Sequence, residues 1–416
     1  MAEPACTIVL GGPYAGDRYR ITAESPYAGS LRLNGVGYSR LRSVGKEVRG
    51  SLEESGIGTA GMTSQPDADR MYDALEEIRA VGWAALSALT SDECYRAQPA
   101  KLREYLTAVL NGAPASTRPV LRFKLPVDLD LPLDLMPALQ PDRADFRPDS
   151  PRGLYKRACQ WFVGLQFVVQ KIRIGNENDG SDKLVPRYFR EGPRVTLAPY
   201  WHRGLADVND SVTKLSQLGF FDVQPALPND RIIKLRDGRE AARLLVHGRK
   251  HPEAIVHIAG HCDAKDGLSS LDHCLRLAGG RGLGRKELRL KVKYLKSGGA
   301  GVAAHRPLAV ITACGASDVR FDTPVSIPDA LLYVGFRAVV SPLVSVNVDP
   351  GYAVTMHLYA AMKKGEALGE ALVTARRQLL ERRGHTLGLL HTCYGDTRLH
   401  LDPEVVALPS RDRIAA

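Results

Sequence analysis

Two short, uninterrupted apolar runs in the second half of the chain most constrain its fold. Residues 254–259 read AIVHIA and residues 308–312 read LAVIT. Runs of this length are typical of strands that are buried on both faces of a parallel sheet. Helical patterns lie on either side of them, at residues 208–218, 239–247, 352–362 and 366–380. The alternation predicts an α/β layered domain with a mainly parallel central sheet flanked by helices.

The first part of the chain has a different pattern. Short apolar runs punctuated by Gly and Pro indicate small strands at residues 7–10, 19–22 and 30–33. Apolar residues at helical spacing then predict a helix across residues 71–89, and a second helix at 101–110. The segment 112–119, GAPASTRP, has the composition of a linker. We therefore predict a smaller N-terminal α+β region over residues 1–115 and a second domain over residues 116–416.

Composition excludes several classes of protein. The chain has 416 residues, of which 44% are hydrophobic and 25% charged, and this is typical of a globular protein and not of a disordered one. It contains no uncharged apolar window of about 18 residues and no basic start followed by an apolar signal segment, so we expect a cytoplasmic protein. Its seven cysteines are odd in number, and no disulfide framework is expected.

The positive charge raises the question of nucleic-acid binding. The formal net charge is +10, and residues 281–296 (RGLGRKELRLKVKYLK) carry seven basic residues and one acidic residue. A single aromatic residue, Tyr294, lies within this run, whereas single-stranded nucleic acids are bound by interleaved stacking aromatics. The run is therefore interpreted as a solvated connection, and a nucleic-acid partner is not expected.

Reactive side chains follow both apolar runs. His261 comes directly after the first run and its Gly260, and Cys314 stands two residues beyond the second. Because side chains at the carboxyl ends of parallel strands project into the ligand crevice, this placement favours an imidazole beside a thiol. Such a pair suits nucleophilic catalysis, with Cys314 as nucleophile, His261 as general base and an acyl-enzyme as product. Small neighbours leave the Cys314 amide free to hold an oxyanion.

Two other interpretations of these residues stay open. A single Cys or His at a strand end is commonly part of the core. The second alternative is zinc, since five competent ligands lie close together in the sequence: His257, His261, Cys262, His273 and Cys274. Two histidines four residues apart do not converge on a strand as they do on a helix, and the chain has no Cys-x-x-Cys pair. We therefore predict neither a metal site nor a cofactor.

An ordered series of motifs covers residues 120–402. It consists of 131–136 (LPLDLM), 256–261 (VHIAGH), 283–290, 308–314 (LAVITAC), 335–343 (GFRAVVSPL), 357–365 (HLYAAMKKG), 371–380 and 394–396 (YGD). In this order the motifs resemble the CHAT domain, a family of caspase-like cysteine peptidases related to separase. The resemblance implies a caspase-like fold and hydrolysis of peptide bonds, with His261 as base and Cys314 as nucleophile. It also implies that the backbone amides of Cys262 and Cys314 bind the oxyanion.

One position departs from the family pattern, because Cys262 stands where the family has Gly. Glycine allows backbone conformations that are costly for cysteine, so an inactive caspase-like interaction module remains the alternative function.

Substrate and partner are predicted less directly. Four acids near predicted strand ends are candidates for a pocket that binds a basic P1 residue: Asp134, Asp318, Asp322 and Asp349. Solvation at the surface explains each of them equally well. Members of the family commonly work in larger signalling or defence assemblies. The resemblance therefore implies a regulated bacterial protease with a protein substrate. Residues 1–115 are the candidate part for an activating partner or signal, and the alternative is that they only complete the fold.

Overall fold

The computed structural model describes most of the N-terminal half and of the C-terminal quarter of the chain. The described residues are 4–14, 18–57, 67–90, 98–126, 129, 131–137, 150–174, 187–189, 192–201, 221–223, 254–260, 262–264, 273–275, 283–284, 307–313, 327–344, 346 and 348–401.

Fifteen strands lie within the described residues. They are β1 (Cys6–Tyr14), β2 (Arg18–Ser25), β3 (Gly29–Gly37), β4 (Val120–Leu125), β5 (Val168–Arg173), β6 (Arg187–Phe189), β7 (Gly192–Trp201), β8 (Phe221–Val223), β9 (Ile255–Gly260), β10 (Cys262–Ala264), β11 (His273–Leu275), β12 (Leu283–Gly284), β13 (Leu308–Ala313), β14 (Ala338–Pro342) and β15 (His391–Gly395). Twelve of them form one sheet in the order β3-β2-β1-β4-β5-β15-β14-β13-β9-β7-β6, with β8 paired to β7. The strands β10, β11 and β12 form a small separate sheet.

The large sheet consists of two parallel blocks that run in opposite directions. In the first block, β1, β4, β5 and β15 are parallel to one another. In the second, β14, β13, β9, β7 and β8 are parallel. The antiparallel pair β14–β15 joins the blocks, and antiparallel hairpins lie at the outer ends. The predicted mainly parallel central sheet is confirmed.

Helices pack against this sheet. They are α1 (Tyr38–Glu54), α2 (Ala68–Thr90), α3 (Gln98–Gly112), α4 (Pro151–Trp161), α5 (Val163–Gln166), α6 (Ile327–Val334), α7 (Val348–Lys363) and α8 (Leu368–Arg383), with short 3₁₀ turns at Leu133–Leu135 and Thr386–Leu390. The predicted helices within α2, α3, α7 and α8 are confirmed, whereas those at 208–218 and 239–247 lie outside the described residues. None of the helices in the described ranges is long and apolar enough to cross a membrane.

The second apolar run of the sequence forms β13, and the sheet is buried on both of its faces there. Leu308 and Val310 pack in one core cluster with Val340 of β14 and with apolar side chains of α7 and α8. The alternate residues Ala309 and Val339, which point to the opposite face, are fully buried as well. Burial on both faces is the reason why this strand is a continuous apolar run and does not alternate with polar residues.

The N-terminal strands belong to the same sheet as the rest of the chain. Strand β1 is parallel to β4, with Cys6 opposite Leu121, so hydrogen bonds connect the two sides of the predicted boundary at 115/116. One apolar cluster contains residues from both sides of this boundary, among them Ile8, Phe123 and Val169. The residues before and after the linker-like segment 112–119 therefore share a sheet and a core.

A glycine allows α2 to approach the chain beyond this boundary. A Cβ atom added at Gly82 would collide with the backbone carbonyl of Leu135 in the first 3₁₀ turn. The hydrogen atom of glycine is thus what permits backbone contact between α2 and this turn.

We expect Gly82→Ala to lower the free energy of unfolding by about 1–3 kcal/mol, because the methyl group meets backbone that cannot swing aside. The matched control is Gly50→Ala in α1, where an added Cβ has no neighbour within 4 Å. That substitution is expected to raise stability by about 0.5–1 kcal/mol through helix propensity. Denaturant unfolding of the two variants measures both effects, and equal shifts in the same direction would show that α2 does not dock at Gly82.

Candidate active site

Four strands of the second block end at the same edge of the sheet. Strands β9 and β13 are in register along their whole length, from Ile255 opposite Leu308 to Gly260 opposite Ala313. Strand β7 reaches the same level, since its last residue, Trp201, lies opposite Ala259. Strand β14 runs in the same direction beside β13. Carboxyl ends of parallel strands are where open α/β sheets bind their ligands, so this edge is the candidate site.

The two predicted catalytic residues, His261 and Cys314, lie outside the described residues. They follow Gly260 and Ala313 in the chain, the last pair of the β9–β13 ladder. The backbone of Cys262, which is a predicted oxyanion donor together with the amide of Cys314, belongs to β10 and lies opposite Leu275 of β11.

Of the four acids predicted for a substrate pocket, two lie outside the described residues, namely Asp318 and Asp322. Asp349 belongs to the first turn of α7, and only its backbone is described. Asp134 is thus the one predicted site residue whose side chain is described.

Asp134 lies in the 3₁₀ turn Leu133–Leu135 and is buried in an ion cluster. Its Oδ1 accepts a hydrogen bond of 2.6 Å from Nη2 of Arg376 on α8. Its Oδ2 accepts one of 2.6 Å from the hydroxyl of Thr392 on β15 and lies 3.3 Å from Nζ of Lys171 on β5. Both carboxylate oxygens are therefore occupied by groups of the protein itself. In this position, Asp134 links the turn to α8, β5 and β15.

Charge interactions overcome the effect of burial on this carboxyl. Burial by itself raises the pKa of Asp134, whereas the positive charges of Arg376 and Lys171 and the hydrogen bond from Thr392 lower it further than burial raises it. The pKa of Asp134 is consequently held below its ordinary value. The carboxylate is the charged partner that makes burial of two cations tolerable.

A second buried polar group lies just beneath the candidate edge. His257 of β9 is fully buried, and its Nε2 lies 3.1 Å from the hydroxyl oxygen of Thr312 on β13. Its Nδ1 lies 3.2 Å from the hydroxyl of Tyr359 on α7. Burial lowers the pKa of His257 to about 3, so the imidazole is neutral at physiological pH. From the sequence, His257 is a candidate zinc ligand, and nothing in the local pattern indicates that Tyr359 is its partner.

The zinc alternative concerns mostly residues outside the described side chains. Of the five candidate ligands, His257 alone has a described side chain, and its two ring nitrogens face hydroxyl groups. Within the described part of the chain, no group of three or more His, Cys, Asp or Glu side chains could hold a metal ion.

Comparison with known proteins gives fold similarities at low identity. No family model matches the sequence, and no curated protein matches it. Among solved structures, the Arg-specific cysteine proteinase gingipain R is 12% identical with a TM-score of 0.38, over 80% of this chain and 76% of that one. Separase of Saccharomyces cerevisiae, in two crystal structures of its complex with securin, is 8% and 9% identical with TM-scores of 0.46 and 0.43.

Both separase matches cover 95% of this chain and 30% of the separase chain, so this chain spans less than a third of separase. Similarities of this size concern the general arrangement of strands and helices.

We expect Asp134→Asn to lower the free energy of unfolding by about 3–5 kcal/mol at pH 7, because Lys171 and Arg376 remain buried without their counter-charge. Since the folded-state pKa of Asp134 is depressed, its contribution is complete above the unfolded value of about 4 and is lost as the pH falls through the folded value. The difference between wild type and variant should therefore narrow below about pH 4.

Guanidinium unfolding between pH 7 and pH 3 measures this difference. The matched control is Asp73→Asn on the exposed face of α2, for which a change within about 0.5 kcal/mol is expected. Equal losses in the two variants would show that the ion cluster does not hold the fold.

Proposed function

We propose that the chain is a cysteine endopeptidase of caspase-like fold, in which Cys314 is the nucleophile and His261 the general base. The observation that carries the proposal is the register of β9 and β13, in which Gly260 and Ala313 are partners. His261 and Cys314 are the next residues of the chain after these partners.

Backbone geometry limits how far apart the two residues can be. Neighbouring strands lie about 5 Å apart, and consecutive Cα atoms are about 3.8 Å apart. The Cα atoms of residues 261 and 314 are therefore separated by no more than about 13 Å. Side chains of Cys and His pointing toward each other bridge most of such a distance, so the register supports a dyad.

The reaction proposed for this dyad is acyl transfer to a thiol. The thiolate of Cys314 attacks the carbonyl carbon of the scissile peptide, and backbone amides at Cys262 and Cys314 bind the oxyanion. The C–N bond then breaks, and the imidazolium of His261 gives its proton to the leaving amine. Water, deprotonated by His261, hydrolyses the thioester and releases the second product and the free thiol.

Specificity and regulation are further parts of the proposal. A basic P1 residue would pair with the acids that follow the strand ends in sequence, Asp318, Asp322 and Asp349. Asp134 is left out of this pocket because its oxygens are occupied in the ion cluster. An activating partner in the cytoplasm would bind residues 1–115, whose strand β1 pairs with β4 in the sheet that also contains β9 and β13.

The described cysteines are poor competitors for an electrophile. Cys6 and Cys393 are fully buried, and burial raises the pKa of Cys6 to about 12 and that of Cys393 still higher. Burial also raises the pKa of Cys159, which is partly exposed. At neutral pH these three side chains are thiols, whereas an electrophile reacts with thiolates.

We expect a peptide chloromethyl ketone with arginine at P1 to add once per chain, at Cys314. Cys314→Ala should abolish the adduct, and His261→Ala should slow its formation by about 10²-fold or more, because general-base assistance is lost. The control Cys159→Ala should react like wild type. Intact-mass measurement and peptide mapping locate the adduct, and a matched reagent with aspartate at P1 should react more slowly.

An adduct that persists in Cys314→Ala would contradict the assignment of the nucleophile. A folded wild-type chain that gains no adduct from either reagent would favour the inactive interaction module. Faster reaction with the aspartyl reagent would remove the basic P1 preference while leaving the dyad in place.

A further inference from the structure

A buried hydrogen-bonded network lies beneath the proposed dyad and joins three elements. His257 of β9 contacts Thr312 of β13 through Nε2 and Tyr359 of α7 through Nδ1, at 3.1 and 3.2 Å. The rings of His257 and Tyr359 also meet edge to face, with 6.0 Å between centroids. The Thr312 hydroxyl donates a long hydrogen bond of 3.5 Å to the carbonyl of Ile258, which leaves its oxygen as acceptor for Nε2–H of His257.

The network lies close to the carboxyl ends of β9 and β13. Thr312 lies opposite Ala259, which is one residue pair before the ladder ends at Gly260 and Ala313. Helix α7 approaches the same place, because a Cβ added at Gly351 would lie 3.9 Å from the Cβ of Thr312. The imidazole of His257 therefore connects the carboxyl-terminal parts of β9 and β13 to α7, which packs on them.

Stability alone does not explain a polar network at this position. Apolar residues lie beside both rings: Val310 is the register partner of His257, and Tyr359 belongs to an apolar cluster with Leu358. Replacing both partners of a buried hydrogen bond by apolar groups of similar shape is commonly neutral or stabilising. What a satisfied buried network adds over an apolar core is a single, directionally fixed arrangement of its elements.

We propose that His257 is a positioning residue for the reaction, which holds the ends of β9 and β13 in the alignment that the proposed Cys314–His261 dyad requires. The inference rests on the proposed function, since the dyad is what the alignment serves. The two ring nitrogens of His257 face hydroxyl groups of the protein, so the role assigned to it is positioning and not catalysis. It acts through Thr312, two residues before Cys314, and through its own strand, four residues before His261.

Loss of alignment should appear in turnover and not in substrate binding. A displacement of about 1 Å between reacting groups lowers the rate about 10²-fold, even when its cause is remote from the chemistry. The substrate contacts proposed for Asp318, Asp322 and Asp349 do not involve the network. Variants of the network should therefore lower kcat while KM changes little.

The test compares variants that remove hydrogen bonds with variants that keep them. We expect His257→Leu, Thr312→Val and Tyr359→Phe each to lower kcat for an arginyl peptide substrate. The decrease should be about 10- to 100-fold for the first two variants. The KM of each variant should stay within about twofold of the wild-type value. Thr312→Ser keeps the hydroxyl and should restore kcat to within about threefold of wild type. The double variant His257→Leu with Thr312→Val should be no slower than the slower single variant, because the hydrogen bond between these two residues is already lost in either single variant.

The matched control is Thr90→Val, which removes a buried hydroxyl from α2, where it donates a hydrogen bond of 2.7 Å to the carbonyl of Leu86. Its kcat should equal that of wild type. Denaturation midpoints of all variants are measured alongside turnover. The inference is supported when kcat falls while the midpoint stays within error of wild type or rises, and when serine rescues turnover at position 312.

Failure of this inference can be told apart from failure of the proposed function. A wild-type chain that is not labelled at Cys314 overturns the proposed function, and the positioning role with it. A chain that is labelled at Cys314, but whose His257→Leu variant keeps wild-type kcat, overturns the positioning role alone. The positioning role alone is also overturned when kcat falls only in proportion to the denaturation midpoint and Thr312→Ser does not restore kcat.

Discussion

The antiparallel ladder between β14 and β15 is the join on which the rest of the structure depends. It connects two parallel blocks of opposite direction, one of which contains the N-terminal strands and the other the strands of the candidate site. Without it, each block would end in an unpaired edge inside the core, where backbone groups have no water to bond. Charged side chains hold β15 at both of its ends. Asp134 bonds to Thr392 near the start, and Asp396 pairs with Arg337 just beyond the end.

Buried charges of this kind are poor sources of net stability but strong determinants of one arrangement. Desolvation offsets much of the attraction between Asp134 and Arg376, yet any shift of β15 relative to α8 would leave a charge without its partner. The ion pair between Arg173, the last residue of β5, and Asp329 of α6 acts in the same way. Together these pairs fix β5 and β15 against the helices that pack on them.

The candidate site and its support differ in how far they follow from the sequence. Apolar runs predicted β9 and β13, and helical spacing predicted α2, α3, α7 and α8, because local periodicity reports burial directly. The placement of His261 and Cys314 after strand ends is likewise a property of the sequence. The network around His257 is not, since Tyr359 stands about a hundred residues away within an ordinary helical pattern. From the sequence, Asp134 is a candidate pocket acid, because a single carboxylate between leucines gives no sign of Arg376 and Lys171.

The sequence by itself determined the class of fold, the main elements and the residues suited to nucleophilic chemistry, because each depends on neighbours along the chain. Only the tertiary structure decided that β1 pairs with β4, so that the two predicted regions share one sheet, and that Gly260 and Ala313 end level with each other. A short strand has the same hydrophobic pattern whichever strand it pairs with. The identity of a charged residue does not reveal whether it is buried or exposed. Pairing and burial are relations between distant segments, and topology alone brings those segments together.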